Sequence, residues 1–244
     1  LTKDVTLTGD KNNPDSGKSE LVVTPETITA NDTETSALKL VLRDVNNNLI
    51  TGQNVVFIAT PGNVSVSAAA ENSSGTYTAD LKGTTAGTVA VKVTVNGTEL
   101  PATSVNVTLT GDKNHPDISK SELTALPDTI VADGKDGSAL KLILRDVNGN
   151  LITGQTVLFS TALGNTAITD NAEAQGGTYT ATLKGTTAGT ATIKVSLNGT
   201  ELAGMTKDVT LIGDKTNPDI TKSELTATPD TIVADGQEGS ALKL

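Results

Sequence analysis

The sequence repeats itself at a fixed spacing. Gly9-Asp10-Lys11 recurs at 111–113 and at 213–215, so the period from position 9 to 111 to 213 is 102 residues. The stretch from Ser36 to Leu40 recurs in identical form at 138–142. Short units of about 20–50 residues must stack to share a core, whereas a unit of about 100 residues can bury a core of its own. The chain is therefore predicted to consist of copies of one domain in tandem.

The period divides the chain into two complete units and two partial ones. Residues 18–111 form repeat 1 and residues 120–213 form repeat 2. Residues 1–10 match the end of a unit and are predicted to be the closing strand of a preceding repeat, and residues 222–244 match the opening strands of a following one. We expect the chain to be an excerpt from a longer array.

Composition excludes several classes of function. The 28 acidic and 18 basic residues give a net charge of −10, which argues against nucleic acid as a partner because such binding depends on clustered Lys and Arg. The sequence has no cysteine and one histidine, His115, so neither a disulfide framework nor a Ser-His-Asp triad in each repeat can form. It has no run of 18 apolar residues, and we expect no membrane contact by this segment. We therefore predict no enzyme activity, no catalytic or metal-binding residue and no cofactor.

Each repeat is predicted to be all-β. Thr and Val are frequent, apolar and polar residues alternate, and turn residues recur every 8–12 positions or so. The predicted strands of repeat 1 are 21–23 with 27–29 (one edge strand interrupted by Pro25), 37–43, 53–59, 64–68, 76–81, 88–95 and 104–109. About seven short strands in 100 residues are typical of an immunoglobulin-like β-sandwich. Leu38, Leu40 and Leu42 are predicted to share one face in an aliphatic core. The only large aromatic core residues would be Phe57 and Tyr77 in repeat 1 and Phe159 and Tyr179 in repeat 2.

One loop resembles the start of a calcium site but is better explained as a turn. Asp146-Val147-Asn148-Gly149-Asn150 places oxygen ligands at alternate positions. The twelfth position is Val157, where a calcium loop needs a bidentate glutamate. Asn-Gly pairs favour tight hairpin turns because both residues tolerate a positive φ. We interpret the segment as a hairpin turn.

The segments between repeats are the other candidate for a cation site. They concentrate carboxylates at Asp10, Asp15, Asp112, Asp117, Asp214 and Asp219. Oxygen ligands of this kind suit Ca²⁺, which could make the junction rigid. The same segments carry Pro14, Pro116 and Pro218, and proline restricts its own backbone and that of the preceding residue. Two hypotheses remain open: a bound cation, or proline and packing alone, which we favour.

Several motifs of the sequence resemble a known family. Arg145 to Asn150, Thr153-Gly154-Gln155 followed by Val157 and Phe159, and Gly177-Thr178-Tyr179 are similar to the group 1 bacterial immunoglobulin-like domain of the invasin and intimin adhesins. The similarity covers both complete units from end to end.

This resemblance implies a tandem array of sandwiches on the cell surface of a Gram-negative bacterium. The array would be a stalk that projects an adhesive tip, for cell adhesion or biofilm formation, and would be anchored to the outer membrane by a region outside this chain. A host-cell or bacterial-surface receptor would then bind regions outside it too. As an alternative, the repeats themselves could bind host protein, glycan or neighbouring arrays. The two repeats differ most at 58–74 against 160–176, and the differences add no aromatic or Arg anchor, which favours the stalk.

Overall fold

Every regular element in residues 2–244, which the computed structural model describes, is a β-strand. Across that range no helix is long and apolar enough to cross a membrane. The all-β prediction is confirmed. The alternation of apolar and polar residues explains the result, since successive side chains of a strand point to opposite faces of its sheet.

Repeat 1 forms nine strands within the described residues. In chain order they are β1 (Glu20–Thr24), β2 (Thr27–Thr29), β3 (Ser36–Val41), β4 (Val55–Thr60), β5 (Val64–Val66), β6 (Ala70–Ser73), β7 (Thr76–Gly83), β8 (Gly87–Val95) and β9 (Thr98–Thr110). One sheet has the order β1-β3-β7-β5, with β6 also paired to β7, and the other has the order β2-β9-β8-β4. The two sheets enclose a single apolar core, so the repeat is a β-sandwich.

Repeat 2 has the same architecture. Its strands are β10 (Glu122–Leu126), β11 (Thr129–Val131), β12 (Ser138–Ile143), β13 (Val157–Ser160), β14 (Thr166–Glu173), β15 (Thr178–Gly185), β16 (Gly189–Leu197) and β17 (Thr200–Ile212). The sheets have the orders β10-β12-β15-β14 and β11-β17-β16-β13. The strand β14 replaces β5 and β6 and carries a bulge after Thr169. This is the region where the two sequences differ most, and only one strand was predicted there in repeat 1.

The predicted core is confirmed. Leu38, Leu40 and Leu42 are all 0% exposed, and Phe57 and Phe159 are 5% and 3% exposed. The alternate valines of β8 are buried in the same cluster. The aliphatic strands therefore face inward as their pattern indicates.

The first edge strand differs from the prediction. Its two halves, β1 and β2, lie in different sheets: β1 pairs antiparallel with β3, and β2 pairs parallel with β9. Pro25 lies between them, and proline has no N–H to donate to a ladder. The chain leaves the first sheet at this point, and Ile28 of β2 is then buried at 1% exposure.

The turn at 44–48 also differs from a simple hairpin. The chain turns where expected, with Asn47 at φ 70° and its counterpart Gly149 at φ 86°. Arg43 and Leu49 on its two sides form an antiparallel bridge, flanked by main-chain hydrogen bonds from Asp44 to Asn48 and from Ile50 to Leu42, but the next strand, β4, joins the other sheet. The buried Ile50 begins the crossing between the two layers.

The terminal segments contribute little regular structure. Residues 2–10 contain no strand, and Leu1 lies outside the described residues. Two short exposed strands, β18 (Thr226–Thr228) and β19 (Ala241–Lys243), pair with each other after repeat 2. The assignment of 1–10 and 222–244 to further repeats, and the boundaries 18–111 and 120–213, stay predictions.

Candidate functional site: the joint between the repeats

The segment between the repeats is bound to repeat 2 along its length. The N–H of Asp117 donates to the carbonyl oxygen of Arg145 at 2.8 Å, and the N–H of Val147 donates to the carbonyl oxygen of His115 at 3.2 Å. Pro116 forms a β-bridge with Asp146. The segment is therefore held against repeat 2 and is not a free linker. The contact between the two repeats, which we call the joint, begins directly after β9.

Gly111 allows this close approach. A Cβ placed on it would lie 2.3 Å from the carbonyl oxygen of Leu151, a distance that real Cβ atoms do not show. Gly9 has the same relation to Leu49, at 2.5 Å, whereas a Cβ on Gly213 would meet nothing within 4 Å. Glycine is required at 111 because a backbone atom of repeat 2 occupies the place of a side chain.

The carboxylate of Asp146 organises the joint. Its Oδ2 accepts a hydrogen bond from the N–H of Asp112 at 2.8 Å and one from the side-chain amide of Asn150 at 3.0 Å. Its Oδ1 accepts from the N–H groups of Asn148 and Asn150 at 2.9 and 2.8 Å. Aspartate folds the chain locally in this way because its short side chain can accept from amides two and four residues ahead. The same carboxylate therefore shapes the loop and fixes the entering chain.

Three hydrogen bonds cross from this loop to repeat 1. Nδ2 of Asn150 donates to the carbonyl oxygen of Thr84 at 2.9 Å, and Oδ1 of Asn150 accepts from the N–H of Ala86 at 2.7 Å. Nδ2 of Asn148 donates to the carbonyl oxygen of Ala30 at 3.0 Å. We call residues 146–150 the joint loop, and the three main-chain groups of repeat 1 the joint face. Asn150 is 9% exposed and Ala30 is fully buried, whereas Asn148 and Thr84 are exposed, so the contact is partly shielded from solvent and Asn150 is its most buried polar side chain.

The Asn150 side chain is fully used in this contact. An amide has two N–H donors and one acceptor oxygen, and all of them are bonded here, to Thr84, Asp146 and Ala86. A buried amide with every group satisfied fixes orientation, because any rotation between the repeats would leave a buried polar group without a partner.

Each aspartate of the between-repeat segments accepts hydrogen bonds from residues of its own turn. Asp112 accepts from the N–H of Asn114 at 3.0 Å and contacts Nδ1 of His115 at 2.7 Å. The others accept from main-chain or side-chain donors within the next three residues, at Asp10, Asp15, Asp117, Asp214 and Asp219. Of these six, only Asp112 is hydrogen-bonded to a residue of the joint loop, through its main-chain N–H. Within the described part of the chain, no three acidic or histidine side chains converge in a way that could hold a metal ion.

Hydrogen bonding lowers the pKa of the Asp146 carboxyl group and of several aspartates in the between-repeat segments. Burial alone would raise the pKa of Asp146, but the donors from Asp112, Asn150 and Asn148 outweigh burial and lower it. The side-chain amide of Asn217 and the hydroxyl of Thr216 lower the pKa of Asp214 to about 2. A carboxylate with a lowered folded-state pKa stabilises the fold above its unfolded-state pKa, and this contribution is lost as the pH falls through the folded value.

We therefore expect acid to destabilise the joint. The melting temperature should fall as the pH is lowered from about 4, the ordinary carboxyl value, toward 2. Asp146→Asn should be less stable at pH 7 but should lose less stability on acidification, because its amide does not titrate. Calorimetry of both proteins between pH 7 and 2 measures the difference. An equally steep acid dependence in the two proteins would contradict the role assigned to the Asp146 carboxylate.

The two asparagines that cross the joint were not recognised from the sequence. Rigidity was assigned to Pro116 and its copies, whereas Asn148 and Asn150 make the contacts with repeat 1. A signal was available: asparagine also occupies the matching positions 46 and 48 of repeat 1, although a turn alone needs only one such residue.

The chain is similar to known bacterial adhesins. The family model for invasin, domain 3, matches residues 15–112 and 117–214. The inverse autotransporter adhesin YeeJ of Escherichia coli K12 is 28% identical over 196 residues, which are 77% of this chain and 8% of YeeJ.

Solved structures share the tandem fold. Invasin, a bacterial integrin-binding protein, superposes with a TM-score of 0.73 and 30% identity, over 85% of this chain and 42% of that one. InvD of Yersinia pseudotuberculosis superposes with a TM-score of 0.72 and 35% identity, over 87% and 62%. The chain thus spans less than two thirds of each of these relatives. Because the family model matches both repeats and these structures share their fold, the chain belongs to the invasin domain 3 family of bacterial adhesin repeats.

Proposed function

We propose that the two repeats are a non-enzymatic spacer in the extracellular stalk of an invasin/intimin-type adhesin. The joint carries this proposal, because a stalk must hold successive domains in one orientation. A cell-surface location, outer-membrane anchoring and binding of a host or bacterial receptor are proposed for the protein of which the repeats are a part. The repeats would share the extracellular location, while anchoring and receptor binding are proposed for regions other than the two sandwiches.

The construction of the joint supports a fixed orientation between repeats. Repeat 2 contacts repeat 1 through part-buried hydrogen bonds of Asn148 and Asn150, and the entering chain is bonded to the loop at 145–151. None of these contacts needs a cation, since each donor meets a protein acceptor. A strand of about ten residues spans roughly 33 Å, so each sandwich would add roughly 40 Å with its loops.

The test measures the distance between the repeats in the full chain. The sequence has no cysteine, so Lys39→Cys and Lys141→Cys introduce two specific sites for spin labels at matching exposed positions. We expect one narrow distance distribution by pulsed electron resonance, unchanged when a chelator replaces calcium. A broad distribution in both conditions would reject the spacer. A distribution that is narrow only with calcium would instead show that a cation makes the joint rigid.

A further inference from the structure

Each repeat carries both halves of the joint, and one half in each is exposed. The joint loop of repeat 2 has its copy at 44–48 in repeat 1, where Asp44, Asn46 and Asn48 match Asp146, Asn148 and Asn150. The joint face of repeat 1 has its copy in repeat 2. It consists of the carbonyl oxygens of Ala132 and Thr186 and the N–H of Ala188.

Three pairs of matching residues differ in burial according to whether they are in contact, whereas the pairs Asn46/Asn148 and Thr84/Thr186 are exposed in both repeats. Asn150 is buried in the joint, whereas Asn48 is exposed. Ala30 is buried and Ala86 half-buried in the joint face, whereas Ala132 is half-buried and Ala188 exposed. Within residues 2–244 the N–H of Ala188 donates no hydrogen bond. The sequence is the same at these positions, so the difference comes from the neighbouring repeat.

The exposed loop is already in the shape that binds. Asp44 accepts from the N–H of Asp10 at 2.9 Å and from the N–H groups of Asn46 and Asn48 at 2.9 and 2.8 Å. Nδ2 of Asn48 bonds Oδ2 of Asp44 at 3.1 Å, as Asn150 does with Asp146. These contacts hold the Asn48 amide as they hold its copy, so little ordering cost remains for docking.

We propose that these two exposed surfaces are docking sites for a further repeat of this same fold. The loop at 44–48 would bond the joint face of a repeat that precedes repeat 1. The face formed by Ala132, Thr186 and Ala188 would receive the joint loop of a repeat that follows repeat 2. The recognition is directional, because the loop lies at one end of each sandwich and the face at the other. This inference rests on the proposed function and names the partner that the spacer contacts at each end.

The first test measures the hydrogen bond between Ala86 and Asn150, independently of how rigid the joint is. Amide hydrogen exchange of Ala86 in the full chain should be slow because its N–H is bonded to Asn150, and Ala188 should exchange at least tenfold faster. Asn150→Ala should accelerate exchange at Ala86 to the Ala188 level. Asn48→Ala is the matched control, and it should leave Ala86 unchanged. Equal exchange at Ala86 and Ala188, or no effect of Asn150→Ala, would overturn the role of the asparagine.

The second test adds a further repeat to the chain. The chain is lengthened by inserting a second copy of 112–213 after Gly213, which places a joint loop next to the exposed face of repeat 2. Exchange at Ala188 should then slow to the level of Ala86, and alanine in place of the asparagine that matches Asn150 in the added copy should reverse this. Unchanged exchange at Ala188 in the lengthened chain would overturn the docking proposal. A narrow spin-label distribution in the original chain would leave the spacer intact in that case, so the two proposals can fail separately.

Discussion

Replacing Phe159 with alanine is expected to lower the unfolding free energy of repeat 2 by about 3–5 kcal/mol. Phe159 is 3% exposed on β13, opposite Val195 of β16, and belongs to the core between the two sheets. The substitution removes the whole aromatic ring from a sandwich that has only one other large aromatic, Tyr179, so nearby aliphatic side chains would have to collapse into the space. Urea denaturation followed by circular dichroism measures the loss.

The neighbouring residue provides the control. Leu158 precedes Phe159 on the same strand and is 52% exposed, so Leu158→Ala should change stability by less than about 0.5 kcal/mol. Phe57→Ala should reproduce the large effect in repeat 1, where Phe57 occupies the matching position. A midpoint unchanged by Phe159→Ala and shifted by Leu158→Ala would show that the strand faces the opposite way.

Replacing Gly111 with alanine is expected to abolish the single orientation between the repeats. The added Cβ would lie 2.3 Å from the carbonyl oxygen of Leu151, and a backbone atom cannot move aside as a flexible side chain can. The loop of repeat 2 must then shift away from repeat 1, which separates Asn150 from Thr84. The spin-label distance between positions 39 and 141 should move and broaden, while the two cores stay folded.

Gly213→Ala is the matched control for this substitution. Gly213 is the copy of Gly111, but a Cβ there would meet no atom within 4 Å. The spin-label distribution and the thermal stability of this variant should equal those of the original chain. If Gly111→Ala also left the distribution unchanged, the close approach to Leu151 would not determine the orientation.

The strands and the core of each sandwich could be predicted from local pattern, because a buried face needs apolar residues at every second position. Leu38, Leu40 and Leu42 were assigned to one face in this way, and all three are buried. The sheet that each strand joins could not be predicted. The pairing of Ile28 with Leu109 links residues far apart in sequence. The alternation of apolar and polar residues in β2 would be the same in either sheet, so it does not indicate which sheet the strand joins.

The position of the joint could be predicted from the sequence, but the contacts that form it could not. The repeat period and Pro116 showed where one sandwich follows another. The groups that bind Asn148 and Asn150 are main-chain atoms of Ala30, Thr84 and Ala86, and a main-chain atom leaves no residue type in the sequence to recognise. Contacts of this kind depend on how two folded surfaces meet, and they become visible only in three dimensions.

The parallel pairing of β2 with β9 determines how each sandwich resists a pulling force. Tension along the array would draw the start of β2 and the end of β9 in opposite directions. In a parallel pair this slides one strand past the other, so the hydrogen bonds from Thr108 to Glu26 and from Ala30 to Thr110 are strained together and not one after another. Repeat 2 pairs β11 with β17 in the same sense. Because forced unfolding is governed by the rate of crossing the unfolding barrier, shear of this kind would let a folded array transmit force before any sandwich opens.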